Sequence, residues 1–243
     1  MNNLTVVVAG GSSPSGVAAA TAFSKAGHRV YTIGSTPERI QAAAAASSQA
    51  SGRIVTPLVC DLTDYDAVQR LAAEVTSEAG GVDGVLHLVG GWRGGSSMLD
   101  QSDEDWDFLH RQAVLTLRNT SRAFLPALQA SAAGRFAMVG STVAERPTAK
   151  GANYAAAKAA AEAWTQSVAD AFLTASGDGT PATGAAVVLA VKSLVDDAQR
   201  AAAPERKFPG YTDVAQLAQA ALDLFGQDAA EINGARLILP AWA

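Results

Sequence analysis

The chain has 243 residues, 49% hydrophobic and 17% charged, with a formal charge of −5; it is long enough to bury a large core as one α/β domain. An acidic chain of this kind argues against nucleic acid or an anionic membrane as partner and for a small molecule. Met1-Asn2-Asn3 runs on without a basic n-region, and no apolar run reaches the roughly 18 residues of a membrane span, so a soluble, cytoplasmic protein is expected.

The first predicted strand, residues 4–9, leads through Gly10, Gly11, Ser12 and Ser13 into a helix from Pro14. Ser13 is the expected cap. Pro14 suits the first helical position, because its φ is already helical and its missing N–H has no intrahelical partner. A strand over 29–33 precedes a helix from Pro37 with Thr36 before it, and a strand over 54–60 precedes a helix from Asp64 with Thr63 before it. Strands follow over 82–89 and 135–139, with helices from Asp103, capped by Ser102, and from Gly151. The last strands cover 185–191 and 235–239, separated by the polar stretch 196–211 and a helix from about Thr212. Pro204 and Pro209 mark that stretch as a lid over a substrate, with Phe208 and Tyr211 able to close it.

Continuous apolar strands alternating with helices predict a doubly wound, Rossmann-type parallel sheet of about seven strands with helices on both faces, one domain over 1–243. Ligands of such sheets lie beyond the carboxyl ends of the strands. Cys60 is the only cysteine, which excludes an internal disulfide, and no His or Cys pairing has metal-ligand spacing, so no metal site is expected.

Two patterns at those strand ends carry chemistry. The glycine turn before Pro14 exposes amides at a helix start, where the dipole favours a pyrophosphate, and Gly16 permits close strand–helix approach; an ordinary βα turn reads the same way. The second pattern is "VGSTVAERPTAKGANYAAAKAAAEAW". Tyr154 and Lys158 are one helical turn apart, and Ser141 ends the preceding strand. A phenol with an ordinary pKa near 10 becomes an acid–base group at neutral pH when an ammonium stabilises its phenolate.

Length, element order, the glycine turn and the Ser, YxxxK set together resemble the short-chain dehydrogenase/reductase family. Within it, "HLVGGWRGG" (87–95) and "RQA" (111–113) resemble the branch that includes quinonoid dihydropteridine reductase and related bacterial reductases. The resemblance implies an NAD(P)(H)-dependent oxidoreductase acting on a small carbonyl, alcohol or pteridine-like substrate. Ser141, Tyr154 and Lys158 would be catalytic. Gly10, Ser12, Ser13, Gly16, Ser35, Thr36, Asp61, Gly90, Tyr154, Lys158 and Val195 would hold the cofactor, and Trp92, Ser141 and Phe208 would border the substrate. It also implies a homodimer or homotetramer paired through the YxxxK helix, whose alanines offer a flat face.

Four positions depart from the family. Pro14 replaces a glycine of the phosphate turn, His87 stands where an asparagine braces the fourth strand, Ala113 replaces the relay asparagine, and Lys192-Ser193 replace the Pro-Gly after the sixth strand. Those losses leave a second reading open, a nucleotide-binding sensor without catalysis. Asp61 would accept from the adenine amino group or cap a helix. No acid ends the second strand; Ser35, Thr36 and Arg39 stand there, which favours NADP(H) over NAD(H).

Overall fold

The computed structural model describes residues 3–177 and 182–241. A seven-stranded parallel sheet has the order β3-β2-β1-β4-β5-β6-β9. Its left half is built from β1 (Thr5–Ala9), α1 (Pro14–Lys25), β2 (Arg29–Gly34), α2 (Pro37–Ser51), β3 (Val55–Val59) and α3 (Tyr65–Ala79). The chain returns to the centre with β4 (Gly84–His87), α4 (Asp103–Leu109), α5 (Thr116–Ala130), β5 (Arg135–Ser141) and α6 (Ala152–Ser176). It closes with β6 (Ala185–Val191), β7 (Leu194–Val195), α7 (Asp197–Ala202), β8 (Thr212–Asp213), α8 (Val214–Asp223), α9 (Ala229–Ile232) and β9 (Arg236–Ile238). Among the described residues no helix is long and apolar enough to cross a membrane.

Each strand feeds side chains to both faces, so two cores form. Val7, Val85, Phe136 and Val188 pack with α3, α5 and α6; Val6, Val8, Leu86 and Leu189 pack with α1 and α8. The exchange of energies is visible in α5. Pro126 lies inside that helix, at a cost of about 3 kcal/mol. Leu117, Phe124 and Leu128 from the same helix are fully buried at roughly 1.5–3 kcal/mol each, which outweighs it.

The turn from β1 to α1 is tightly packed. Gly10 has φ +83°, a left-handed conformation that other residues rarely take. A Cβ on Gly16 would lie 2.4 Å from the Gly10 carbonyl oxygen and 2.6 Å from the Gly11 Cα. The Ser13 hydroxyl accepts from the Gly16 amide at 3.0 Å and donates to the Gly10 carbonyl at 2.7 Å, so Ser13 caps α1 and Pro14 starts it as expected.

Local differences from the sequence-based elements have physical causes. β4 ends at His87, two residues early, opposite Ala9, where its partner β1 also ends. Asp64, not Thr63, caps α3, accepting from the Ala67 amide at 3.1 Å. The long central helix is divided by a π-helical segment, His110–Leu115, with α5 beginning beyond it. Leu194 and Val195 pair with Thr212 and Asp213, so both ends of the polar stretch 196–211 are anchored in a small second sheet.

Candidate functional site

Strands β1, β4, β5 and β6 end around one depression at the carboxyl edge of the sheet. A cavity of about 910 Å³ there is lined by Tyr154, Lys158, Gly90, Trp92, Ser193 and Tyr211 among others. A second depression of about 250 Å³ shares Leu88, Val89 and Gly90 with it and extends along Gly10, Ser12, Ser13, Ser35, Arg39 and Asp61. The two form one groove running from the α1 start to Tyr154.

Tyr154 and Lys158 lie on the first turns of α6, and Ser141 at the end of β5 lies against them. Burial holds the Tyr154 phenol above its usual 10, and the neighbouring Ser141 hydroxyl opposes that shift. Lys158 is buried, and its Nζ donates to the Val139 carbonyl at 2.9 Å. Burial pulls the Lys158 ammonium down to about 8, with Glu162 opposing the shift.

Ser141 is fixed through its backbone by residues that sequence reading did not single out. Its amide donates to Glu162 Oε1 at 3.0 Å, and its carbonyl accepts from Arg236 at 3.0 Å. Arg236 Nε meets Glu162 Oε2 at 2.8 Å, so an ion pair between α6 and β9 clasps both sides of the Ser141 peptide. Both side chains are largely shielded, and breaking such a pair strands a charge. Arg236→Leu is therefore expected to lower stability by about 3 kcal/mol in urea unfolding; a loss below about 1 kcal/mol would mark the pair as a surface contact.

His87 is 2% exposed and faces α5 and α6. Its Nε2 lies 3.2 Å from Thr116 Oγ1. The Thr116 hydroxyl already donates to the Gln112 carbonyl at 2.6 Å, so the ring supplies the proton from Nε2 and its buried Nδ1 carries an unpartnered lone pair. Burial first, then the Lys158 charge, depress His87 to about 3. Its folded pKa lies below the ordinary 6.5, so the unfolded chain binds the extra proton first. The stability supplied by the neutral ring is complete above pH 6.5 and is lost as pH falls toward 3. In His87→Asn, the pH dependence of unfolding free energy between pH 6.5 and 4.5 is expected to be shallower by about 1 kcal/mol per pH unit, read by denaturant titration. Equal slopes would mean that the ring charges without penalty.

Other expected site residues are distributed as follows. Gly16 lies behind the phosphate turn, packed on Gly10 and Gly11. Asp61 borders the groove, and its Oδ1 accepts from the Thr63 amide at 2.9 Å and hydroxyl at 2.8 Å, an Asx turn that holds the carboxyl below its usual range. Thr36 precedes α2 but does not line the groove, whereas Arg39 does. Val195 is fully buried in the small sheet, Phe208 is 3% exposed with φ +42°, and Ser141 is 1% exposed between Gly140 and Val143 of the lining; none of the three itself lines the cavity. Phe208 is an anchor of the 196–211 segment, packed on Tyr211 and under Arg206. Ala113, in the π-helical segment, clusters with Leu109 of α4 and Ala157 of α6, and Tyr154 packs against the three.

Residues 4–175 match the family model of short chain dehydrogenases. A short chain dehydrogenase of Pseudocercospora fijiensis is 31% identical over 166 residues, 68% of this chain and 53% of that protein, so the chain spans about half the length of this relative. A 3-oxoacyl-[acyl-carrier-protein] reductase, FabG of Vibrio harveyi, is 29% identical over 80% of each chain. A short chain dehydrogenase structure from Burkholderia cenocepacia in complex with NADP is 26% identical, with a TM-score of 0.79 over 98% of this chain and 96% of that one. An NAD+-bound xylitol dehydrogenase shares the fold at 16% identity, with a TM-score of 0.80 over 98% of both chains. With its glycine turn, its sheet order and the reach of the family match, this chain belongs to the short-chain dehydrogenase family.

Proposed function

We propose that this chain is an NAD(P)H-dependent oxidoreductase that moves hydride between nicotinamide and a small carbonyl or alcohol. The observation that carries the reading is the continuity of the groove: Tyr154 and Lys158 line the same cavity that runs into the glycine turn. The residues present fit a dinucleotide. The close packing of Gly16 brings the α1 start against the turn, and the Ser12 and Ser15 amides have no protein acceptor among the described residues. These two amides and the α1 dipole would hold the pyrophosphate. Pro14 removes a third donor without disturbing the cap. Asp61 would meet the adenine and Gly90 the nicotinamide end. When bound, the nicotinamide supplies or accepts the hydride.

The side chains have the protonation such a reduction needs. Tyr154 is a phenol at neutral pH, set by burial to donate its proton to a carbonyl oxygen. Ser141, held by the Glu162–Arg236 clasp, orients that oxygen with its hydroxyl. Lys158 steadies the phenolate left behind, and Trp92 edges the substrate. NADP(H) is the preferred cofactor, because Ser35 and Arg39 line the groove where β2 ends and no Asp or Glu ends that strand; Asp61, in the same depression, follows β3. The exposed Ala156, Ala159, Ala160 and Ala163 of α6 form the flat face through which a homo-oligomer would pair.

The test is deuteride transfer from labelled NADPH and NADH to a panel of aliphatic and aromatic ketones and aldehydes, with cofactor binding followed by fluorescence. Label in the alcohol product, more from NADPH than from NADH, is the expected result. Cofactor binding with no transfer to any carbonyl would replace this reading by that of a nucleotide sensor.

A further inference from the structure

The cavity around Tyr154 carries charge of one sign. Lys150, Lys158, Lys192 and Arg206 line it and, among the described residues, no Asp or Glu does, in a chain whose formal charge is −5. Two of these cations are already engaged: Lys158 holds the Val139 carbonyl beside Tyr154, and Lys192 Nζ donates to the Pro209 carbonyl at 2.8 Å, tying the 196–211 segment down.

The other two come from separate walls. Lys150 is exposed, four residues before Tyr154, and is fixed through its backbone, its carbonyl accepting from the Gly95 amide at 2.9 Å and from Gln101 Nε2 at 3.2 Å. Arg206 projects from the 196–211 segment. One N–H donates to the Tyr211 hydroxyl at 2.7 Å, and the guanidinium lies over the Phe208 and Tyr211 rings at 4.8 and 5.4 Å. Among the described residues neither cation forms an ion pair. An arginine held by aromatic rings has lost its rotamer freedom before any ligand arrives, and its remaining donors match the fork of a carboxylate or phosphate. A 2′-phosphate does not account for them, because Ser35 and Arg39 lie in the other depression, which neither Lys150 nor Arg206 lines; the pyrophosphate already has the Ser12 and Ser15 amides and the α1 dipole, Ser15 standing where the two depressions meet.

We infer that the substrate is an anion: a small carbonyl compound bearing a carboxylate or phosphate, held by Arg206 and Lys150 while its carbonyl meets Tyr154. The inference rests on the oxidoreductase reading. Its carbonyl carbon takes hydride from NAD(P)H and its oxygen takes the Tyr154 proton, giving the hydroxy anion and NAD(P)+, and Tyr154 regains a proton from solvent. Phe208, buried at positive φ, becomes the anchor that sets Arg206 at the cavity mouth.

Two matched pairs test this: acetoacetate against its methyl ester, and dihydroxyacetone phosphate against dihydroxyacetone. Each is followed in kcat/KM with NADPH and in calorimetric affinity for the protein with NADP+ bound. In at least one pair the anion is expected to be favoured about tenfold or more, and the pair that shows it tells carboxylate from phosphate. Arg206→Gln and Lys150→Gln are each expected to cut that anion-to-neutral ratio several-fold, with Arg206→Lys keeping more of it than Arg206→Gln. Because the ratio is taken within one protein, a general loss of folding cancels. Ratios near one in both pairs, or ratios that the glutamine variants leave unchanged, overturn the inference, while turnover of either member upholds the oxidoreductase reading. Calorimetric preference for an anion with no turnover upholds the anion site and overturns that reading, and neither binding nor turnover overturns both.

Discussion

Tyr154→Phe is expected to lower kcat by about a thousandfold while NADPH still binds. The substitution keeps the ring that packs against Leu109, Ala113 and Ala157 and removes only the hydroxyl. What is lost structurally is at most the polar contact with Ser141, about 1 kcal/mol, so the protein stays folded. What is lost chemically is the proton. Ser141 is an alcohol fastened by its own backbone, and the Lys158 ammonium is directed at the Val139 carbonyl, so neither replaces the phenol as donor. The part of the groove from the glycine turn to Arg39 is lined without the phenol, which is why fluorescence titration should still register NADPH. Turnover within about tenfold of the native chain would remove Tyr154 from the chemistry and move attention to the buried His87.

The strands were legible because parallel strands covered on both faces are written as continuous apolar runs, and the described sheet uses the same seven segments. The π-helical segment was not. Leu109, Ala113 and Leu117 are spaced by four residues, a spacing that α and π turns share, so the apolar pattern passes through His110–Leu115 without a break. At α3, Thr63 and Asp64 are both capping residue types, and only the backbone decides that Asp64 holds the position.

In the site, Ser141, Tyr154 and Lys158 were readable because their relation is local: one helical turn and one strand end. The clasp on Ser141 joins residues 74 apart in sequence, on α6 and β9, and nothing in the local pattern of either marks it. The same holds for the cations of the cavity. Lys150 and Arg206 are ordinary polar residues in two loops, and their common property, a shared wall without a carboxylate, exists only once the 196–211 segment is anchored by the β7–β8 pair. Phe208 shows the converse: an aromatic in a polar stretch reads as a rim residue, but its burial and positive φ make it the fastening of that stretch.

Lys158→Met is expected to abolish turnover without unfolding the protein. At pH 7 the buried ammonium is a cost: its pKa, pulled from 10.5 to about 8, corresponds to about 3 kcal/mol that the folded state spends on keeping the charge. The unfolded chain keeps its proton to higher pH, so this cost is complete below pH 8 and is relieved as pH rises from 8 to 10.5. Methionine fills most of the same volume without charge, but leaves the Val139 carbonyl without its 2.9 Å donor, at about 1–3 kcal/mol for a buried acceptor. The first effect equals or exceeds the second, so urea unfolding at pH 7 should show the variant as stable as the native chain or more so. Above pH 8 the native chain should gain on the variant, as its lysine sheds the charge. Activity runs the other way, because the phenolate then has no cation beside it. A variant that is both inactive and several kcal/mol less stable at pH 7 would show that Lys158 is needed to build the site. An inactive, stable one shows that the fold carries this charge for the chemistry.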